Sequence, residues 1–294
     1  MNSSQVLRWQ GRVFSVFALT IAFLSLVLTR LDSRFELVVI VALIVVLGVP
    51  HGALDTVFAR RAYPIKSIGG WLVFSCVYLL IAAAVVGLWW LLPAVFLTGF
   101  LLASAFHFSG DPVDDTPLLL RFWYGGAVIV LPALLHQSEV AVLFGYLVPG
   151  DFPVQIAAFL HWLAAPWLVG LSISVIKNFR HDLLTSIEVL SMALLATLAT
   201  PLIGFTVFFC VMHSARHALR TQKFANQMSF WWIVKRAALP MAMFCFIIAV
   251  SWTTVSALPF DAAVVRLLFV SLAALTVPHM CLIERVRFSR LLQS

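Results

Sequence analysis

The chain has 294 residues, of which 63% are apolar and only 11% are charged, with a mean hydropathy of +1.05. Soluble domains are about half apolar and about a quarter charged, so this composition excludes an ordinary soluble protein. The net charge of +7 comes from residues in short segments between apolar runs. This distribution is typical of orientation signals in a membrane protein and not of a nucleic-acid-binding patch.

Apolar runs recur along the whole chain at close to the ~20 residues that a helix needs to cross a bilayer. They predict an all-α, polytopic membrane protein with about ten (eight to ten) spans in a single membrane domain, because continuous apolarity favours helices over a barrel. The first run is interpreted as a retained span, since no signal-peptidase site follows it. The predicted spans cover residues 13–29, 37–58, 70–92, 94–108, 118–136, 154–176, 183–199, 201–219, 237–256 and 262–283.

The distribution of basic residues predicts the orientation of these spans. If the N-terminus is cytoplasmic, all but three of the 19 Lys and Arg residues lie on the inner side, Arg216 among them. The three that remain outside are Arg30, Arg34 and Arg266. The positive-inside rule therefore predicts that both termini and the loops 60–66, 177–182 and 220–236 face the cytoplasm from the inner membrane. The longest outer connection is predicted at 137–153.

The end of the second predicted span brings several informative residues together. It reads Gly48-Val-Pro-His-Gly-Ala-Leu-Asp55, in which Gly48 and Gly52 form a G-x-x-x-G pattern that lets a neighbouring helix approach. Pro50 removes a backbone donor and predicts a kink just before His51. Asp55 can accept the ring N–H of a metal-bound histidine. The alternative interpretation is a proline kink beside a hydrogen-bonded core histidine.

Histidines also mark predicted spans four and eight. The stretch Phe106-His107-Phe-Ser-Gly-Asp111 repeats the spacing of histidine to carboxylate, although Asp111 is equally well interpreted as a loop or capping residue. The stretch His213-Ser-Ala-Arg-His217 places two imidazoles on one face of a helix, where both can bind one metal ion. A buried ionisable residue in a span is a functional-site hypothesis because its burial is costly.

The tenth span contains Pro278-His279, which repeats the proline-histidine pair of span two. His279 is interpreted as a ligand, as a group that holds a ligand, or as a group that faces substrate. Glu284 fits a solvated charged end. At ~1.5 Å per residue, five histidines share one layer in the cytoplasmic half, namely His51, His107, His213, His217 and His279. The others lie near the outer ends of spans five and six or in an inner loop, namely His136, His161 and His181.

A site built from histidines suits zinc, copper, iron or nickel, and spacing alone does not choose among them. The four cysteines lack C-x-x-C spacing, which argues against a thiolate site. Neither G-x-x-x-x-G-K-[ST] nor G-x-G-x-x-G occurs, so nothing indicates nucleotide binding.

Taken together, the stretch around His51, the Phe-His-Phe around His107, the His-Ser-Ala-Arg-His box and the late Pro-His pair resemble the Brp/Blh family of bacterial and archaeal β-carotene cleavage dioxygenases. The resemblance spans residues 51–284. It implies a membrane enzyme that uses ferrous iron and O2 to split the central double bond of β-carotene into two molecules of retinal. Carried over residue by residue, it implies iron ligands at His51, His107, His213 and His217. Asp55, Asp111 and His279 would then hold ligands or face substrate.

A carotenoid dissolves in the bilayer, so we expect its binding site to open sideways to lipid and to be lined by apolar and aromatic side chains. The chain has 25 Phe and 10 Trp residues that can line such a tunnel. The resemblance also suggests a functional link to a retinal-binding rhodopsin. The predicted partners are therefore β-carotene, O2 and membrane lipid, and nucleic acid is not among them.

Three alternatives remain open at this point. A membrane di-iron desaturase or hydroxylase also uses histidines, but such sites need several paired boxes and this chain has one H-x-x-x-H. A metal or proton transporter also buries His and Asp, but little in the outer half except His136 and His161 continues a polar route. A carotenoid-binding or opsin-assembly factor without activity would use the same tunnel as an enzyme.

Overall fold

The computed structural model describes residues 3–28, 33–113, 115–227 and 229–291. Every regular element in these ranges is a helix, which confirms the predicted all-α class. The α-helices are α1 Ser3–Val27, α2 Ser33–Leu43, α3 Pro50–Ala53, α4 Asp55–Ala62, α5 Ile68–Leu91, α6 Pro93–Phe108, α7 Leu118–Val130, α8 Pro132–Gly145, α9 Phe152–Asn178, α10 Leu183–Leu198, α11 Pro201–Val207, α12 Ala215–Phe224, α13 Phe230–Val255 and α14 Phe260–Leu291. Two π-helical segments lie at Ile44–Gly48 and Phe208–Ser214. Thr29 and Arg30, at the predicted end of the first span, lie outside the described residues.

The predicted number of about ten spans is too high. Among the described residues, seven helical stretches are long and apolar enough to cross a bilayer, and the bent pair α7–α8 raises this number to at most eight. The predicted spans 94–108 and 183–199 correspond to α6 and α10, which have 16 residues each. Such a helix is about 24 Å long, whereas the hydrocarbon core is about 30 Å thick. Proline limits both helices, because Pro93 opens α6 and Pro201 opens the helix that follows α10.

The connection predicted at 137–153 is helical over most of its length. Helix α8 continues from α7 with a bend of 43°. Pro132 opens α8, and His136 within it has non-helical angles of φ −123° and ψ 34°. A proline lacks the backbone donor that continues the hydrogen-bond ladder, so the helix bends here and does not end. Only a short turn separates α8 from α9.

The described residues divide into two compact units. The first comprises Met1–Gly48 and Thr98–His217, and the second comprises Val49–Leu97 and Ala218–Ser294, each within its described part. In the first unit α1 packs on α10, and α9 packs on α7 and α8. In the second unit α14 packs on α5 and α4.

Two tryptophan–glycine contacts hold α7 and α9 together in the first unit. The Trp167 ring lies over Gly126, and the Trp123 ring lies over Gly170, so that a Cβ at either glycine would collide with the ring. Trp167 Nε1 donates to the carbonyl of Trp123 at 2.8 Å, and the two ring centroids are 4.9 Å apart. Glycine at both positions therefore allows the close approach that helix packing in membranes exploits.

In the most apolar stretches of helices α5 and α13, in the second unit, only 6% of the residues are buried. Leu80 and Phe246, for example, are each 70% exposed. A continuous apolar surface of this kind is not stable in water, so lipid is its natural solvent. The second unit thus has the surface of a membrane protein, as the composition predicts.

Candidate functional site

A buried histidine–aspartate pair lies in the first unit. His213, in the π-segment Phe208–Ser214, is 2% exposed, and Asp111, just after α6, is 4% exposed. The Nδ1 atom of His213 lies 2.9 and 3.0 Å from the two carboxylate oxygens of Asp111. An ionised carboxylate only accepts hydrogen bonds, so Nδ1 donates and Nε2 of the same ring keeps its lone pair. Asp111 therefore orients a histidine, as one of its two sequence interpretations required.

His107 lies next to this pair. It is half-buried at the end of α6, and its ring centroid is 4.7 Å from that of His213, with the planes at 70°. Two of the predicted ligands and one predicted partner carboxylate are thus brought together within the first unit.

The His213–His217 spacing does not lie on a regular α-helix. His213 is in the π-segment, whereas His217 is in α12. A π-helix closes i→i+5 hydrogen bonds, so the same-face relation expected for residues four apart in an α-helix does not hold strictly across the junction. His217 is half-buried while its Nε2 atom is inaccessible to solvent.

Close packing of the two π-segments against each other places His213. A Cβ at Gly48 would lie 2.5 Å from the ring of Phe209. The hydroxyl of Ser214 donates to the Gly48 carbonyl at 3.0 Å. The predicted close approach is therefore confirmed at Gly48. It is wrong at Gly52, where a Cβ would meet no atom of the described chain within 4 Å.

Phenylalanine rings surround the imidazole of His213. Phe209 stacks on it with a centroid distance of 5.6 Å and an interplanar angle of 16°, and Phe108 meets it edge-on at 5.0 Å. Phe208 lies 6.4 Å away. These rings exclude water from the histidine–aspartate pair and so strengthen its hydrogen bonds.

A second histidine–aspartate pair lies in the second unit. Nδ1 of His279 donates to Asp55 Oδ1 at 2.6 Å, and both residues are buried. The hydroxyl of Tyr78 on α5 donates to the other oxygen, Asp55 Oδ2, at 2.9 Å. The ring of His51 lies 5.3 Å from that of His279 at 85°. Asp55 thus acts on a histidine 224 positions away, a pairing that local spacing does not reveal.

The local sequence explains the placement of Asp55. Pro50 opens the short helix α3 after the π-segment Ile44–Gly48, and the chain turns again at Leu54, where ψ is −1°. Asp55 therefore begins α4. The other proline-histidine pair behaves differently, because α14 continues through Pro278 from Phe260 to Leu291. The two proline-histidine pairs are therefore similar in sequence but differ in backbone conformation.

The remaining histidines have other surroundings. Nδ1 of His161 is 2.9 Å from the Ala133 carbonyl, and Nδ1 of His136 is 3.3 Å from a carboxylate oxygen of Glu139. His181 is exposed at the α9–α10 turn. Glu284 is exposed near the end of α14, which fits the predicted solvated end.

The first unit also contains a buried polar network that was not predicted from the sequence. Arg216 is 0% exposed and forms an ion pair with Glu188 at 2.9 Å. Its Nε donates to Gln10 Oε1 at 2.8 Å. Arg216 is therefore not one of the solvated inner charges on which the orientation was predicted. A glutamate inside the apolar run 183–199 was the available signal. Tyr78 was also missed, because a tyrosine in a long apolar helix has no spacing signature.

These groups suit a divalent transition metal. In each pair a carboxylate holds Nδ1, and the Nε2 atoms of His213 and His279 are buried on the opposite edge of the ring. Metal-bound histidines usually donate their second N–H to a carboxylate in this way, which fixes the tautomer. Imidazole nitrogen suits iron, zinc, copper and nickel. The one buried cysteine, Cys210, lies 3.5 Å from the Leu43 carbonyl.

Comparison with known proteins gives a consistent result. A sequence model of the family described as "Beta-carotene 15,15'-dioxygenase" matches residues 42–286. The chain is 32% identical over 255 residues to a protein of that name from uncultured marine bacterium 66A03, covering 83% of this chain and 91% of that protein. No solved structure matches. The matched range includes all five histidines of the predicted layer and both aspartates that orient histidines, and the chain belongs to the β-carotene 15,15'-dioxygenase family of carotenoid-cleaving enzymes.

Proposed function

We propose that this protein cleaves β-carotene at its central double bond, using ferrous iron and O2, and forms two molecules of retinal. The observation that carries the proposal is the buried His213–Asp111 pair within the range matched by the family. The reaction balances without a further oxidant, because the double bond breaks and each of its carbons receives one atom of O2. When bound, ferrous iron supplies the one-electron chemistry that ground-state O2 needs.

The proposed ligands are those that the family resemblance implies, namely His51, His107, His213 and His217. Within the first unit, the adjacent rings of His107 and His213 support this assignment. Asp111 keeps the proton of His213 on Nδ1, so that Nε2 has the lone pair that binds a metal ion. Within the second unit, Asp55 keeps the proton of His279 on Nδ1 in the same way, beside His51. We assign His279 to positioning or to contact with substrate.

The apolar surroundings of these residues suit a hydrocarbon substrate. Phe108, Phe208 and Phe209 are themselves buried and surround His213 with apolar rings, so a substrate site beside them would be apolar. β-Carotene would enter sideways from the bilayer, in which it dissolves. The retinal product would leave through the bilayer and supply a retinal-binding protein such as a rhodopsin.

Expression in carotene-producing cells tests the activity. Extracted pigments should show loss of β-carotene and appearance of retinal, and the purified protein should hold about one iron per chain. A chelator should stop the reaction, and ferrous iron should restore it, whereas zinc should not. Unchanged β-carotene in cells that contain the inserted protein would refute cleavage and leave binding alone. Full activity in metal-free protein would refute the iron.

We also propose that both termini face the cytoplasm from the inner membrane. This requires an even number of crossings, and the count of eight satisfies it. Cysteines introduced at Lys66 and Lys223, in a variant without native cysteines, should resist labelling from outside, whereas eight crossings place a cysteine at Lys177 outside. Lys177 is the discriminating position, because it reaches the outside if α6 and α10 do not cross. Labelling of Lys66 or Lys223 from outside would refute the orientation.

A further inference from the structure

Arg216 connects three parts of the first unit through its buried guanidinium. Nη1 lies 2.9 Å from Glu188 Oε2 on α10, and Nε donates to Gln10 Oε1 on α1 at 2.8 Å. Nη1 also donates to the backbone carbonyl of Asp111 at 3.2 Å. The residue whose carboxylate holds His213 is therefore itself held, through its main chain, by Arg216.

Gln10 completes the connection from the other side. Its Nε2 donates to the carbonyl of Val211 at 2.7 Å, two residues before His213 in the π-segment. The carbonyl of Met212 lies 3.5 Å from the same nitrogen. The Gln10 amide thus joins the backbone that carries His213 to the arginine that fixes Asp111.

Helix α1 is shaped to admit this network. A Cβ at Gly11 would collide with the carboxylate of Glu188 and would lie 3.0 Å from Arg216 Nη2. Both Gln10 and Gly11 precede residue 42, where the family match begins. The part of the chain outside the matched range therefore contacts the residues that hold the His213–Asp111 pair.

Stability alone is a poor reason for this arrangement. Burying two charges costs desolvation that their attraction often fails to offset, and well-packed apolar residues frequently do as well. We infer that Arg216, with Glu188 and Gln10, is a positioning residue that holds Asp111 and the π-segment at the distance at which Asp111 orients His213 toward iron. This inference rests on the proposed function, because it takes His213 as an iron ligand.

The substitution Arg216→Lys tests the role directly. Lysine keeps the positive charge beside Glu188 but cannot reproduce the planar fork that reaches Glu188, Gln10 and Asp111 together. We expect about tenfold weaker ferrous-iron binding, the lower end of the range for partners of ligands. We also expect an altered electron paramagnetic resonance spectrum of the ferrous nitric oxide complex, which reports the ligand geometry.

A second variant covers the possibility that Arg216→Lys fails to insert. Gln10→Met keeps the side-chain length but removes both hydrogen bonds, so it should weaken iron binding and alter the same spectrum. The matched control is Ser15→Ala on α1, because the Ser15 hydroxyl donates to the Gly11 carbonyl of its own helix at 2.9 Å. Its iron affinity and spectrum should equal those of the wild type.

Gly11→Ala is an independent variant. Alanine favours a helix over glycine, so any loss would come from displacement of Glu188 or Arg216, which the added Cβ would meet. Gly99→Ala on α6 is its control, since a Cβ there meets no described atom within 4 Å. We expect weaker iron binding in Gly11→Ala and unchanged iron binding in Gly99→Ala.

The outcomes separate the two proposals. A wild-type protein that binds no iron overturns both. Iron in the wild type, with unchanged affinity and spectrum in folded Arg216→Lys or Gln10→Met, overturns only the positioning role. A lower melting temperature with an unchanged spectrum also overturns it, because that result marks a purely structural network.

Discussion

The two units each contain a histidine–aspartate pair, and the pairs are fixed in different ways. In the first unit, His213 Nδ1 lies at nearly equal distances, 2.9 and 3.0 Å, from both oxygens of Asp111. In the second, His279 contacts one oxygen of Asp55 at 2.6 Å, and Tyr78 occupies the other. Arg216 holds Asp111 through its main-chain carbonyl, whereas Tyr78 holds Asp55 through its second carboxylate oxygen.

The two histidine–aspartate pairs also share one arrangement. Asp111 follows His107 by four residues and Asp55 follows His51 by four, yet each aspartate binds a histidine from a distant helix. In each unit, the ring of that distant histidine lies beside the histidine that precedes the aspartate. The spacing thus brings two histidines together through one carboxylate, and it does not mark a local histidine–aspartate pair.

The largest effect is expected from removal of a proposed ligand. His213→Ala should abolish retinal formation and reduce bound iron while the protein still inserts, and so should alanine at His51, His107 or His217. The matched control is His161→Ala, whose ring contacts the Ala133 carbonyl, and alanine at His136 or His181 should likewise keep most activity. Pigment analysis and iron content measure both effects. Equal iron loss in His161→Ala and His213→Ala would contradict the assignment.

His279→Ala sharpens the comparison between the pairs. We expect lost turnover with retained iron, because His279 is assigned to positioning or substrate contact and not to ligation. Single-turnover assays on iron-loaded protein, with iron measured in the same sample, provide the test. If iron is lost as completely as in His213→Ala, His279 is a ligand and the two pairs have the same role.

The aspartates should have intermediate effects. Asp111→Asn and Asp55→Asn each leave one acceptor oxygen and remove the negative charge, so iron affinity or activity should fall ~10- to 100-fold. Asp111→Asn should lower iron affinity more, because it acts on a proposed ligand. Competition with a chelator gives the affinities. A larger loss of affinity in Asp55→Asn would reverse the order proposed for the two units.

The smallest effect is expected from Tyr78→Phe. It removes one hydrogen bond to the Asp55 carboxylate, worth about 1.5–3 kcal/mol, but leaves the bond between Asp55 and His279 in place. Turnover should therefore fall less than in Asp55→Asn, about two- to tenfold, with iron unchanged. Tyr63→Phe is the control, since phenylalanine keeps the ring that Arg285 covers. No change in Tyr78→Phe would mean that Asp55 is fixed without the hydroxyl.

The sequence predicts the helical class and marks the candidate histidines, because the length of apolar runs and the ionisable residues within them are local features. It does not predict which histidine each aspartate binds. Asp111 and His213 are 102 positions apart, and their pairing depends on how helices pack. The sequence likewise indicates a solvated charge at Arg216, at the end of a span. Its ion pair with Glu188 also depends on how the helices pack. The predicted number of spans is slightly too high because the short apolar runs 94–108 and 183–199 are counted as crossings, although α6 and α10 have only 16 residues each.

The π-segment Phe208–Ser214 holds one residue more per turn than an α-helix does. Deletion of a single codon between Phe208 and His213 would let this stretch close as a regular α-helix, because the π-turn already absorbs the extra residue. His213 would then keep nearly the same angle relative to α11, whereas the same deletion from a regular α-helix would turn every later residue by about 100°. The direction of the His213 side chain therefore tolerates a change in length that a regular α-helix would not tolerate.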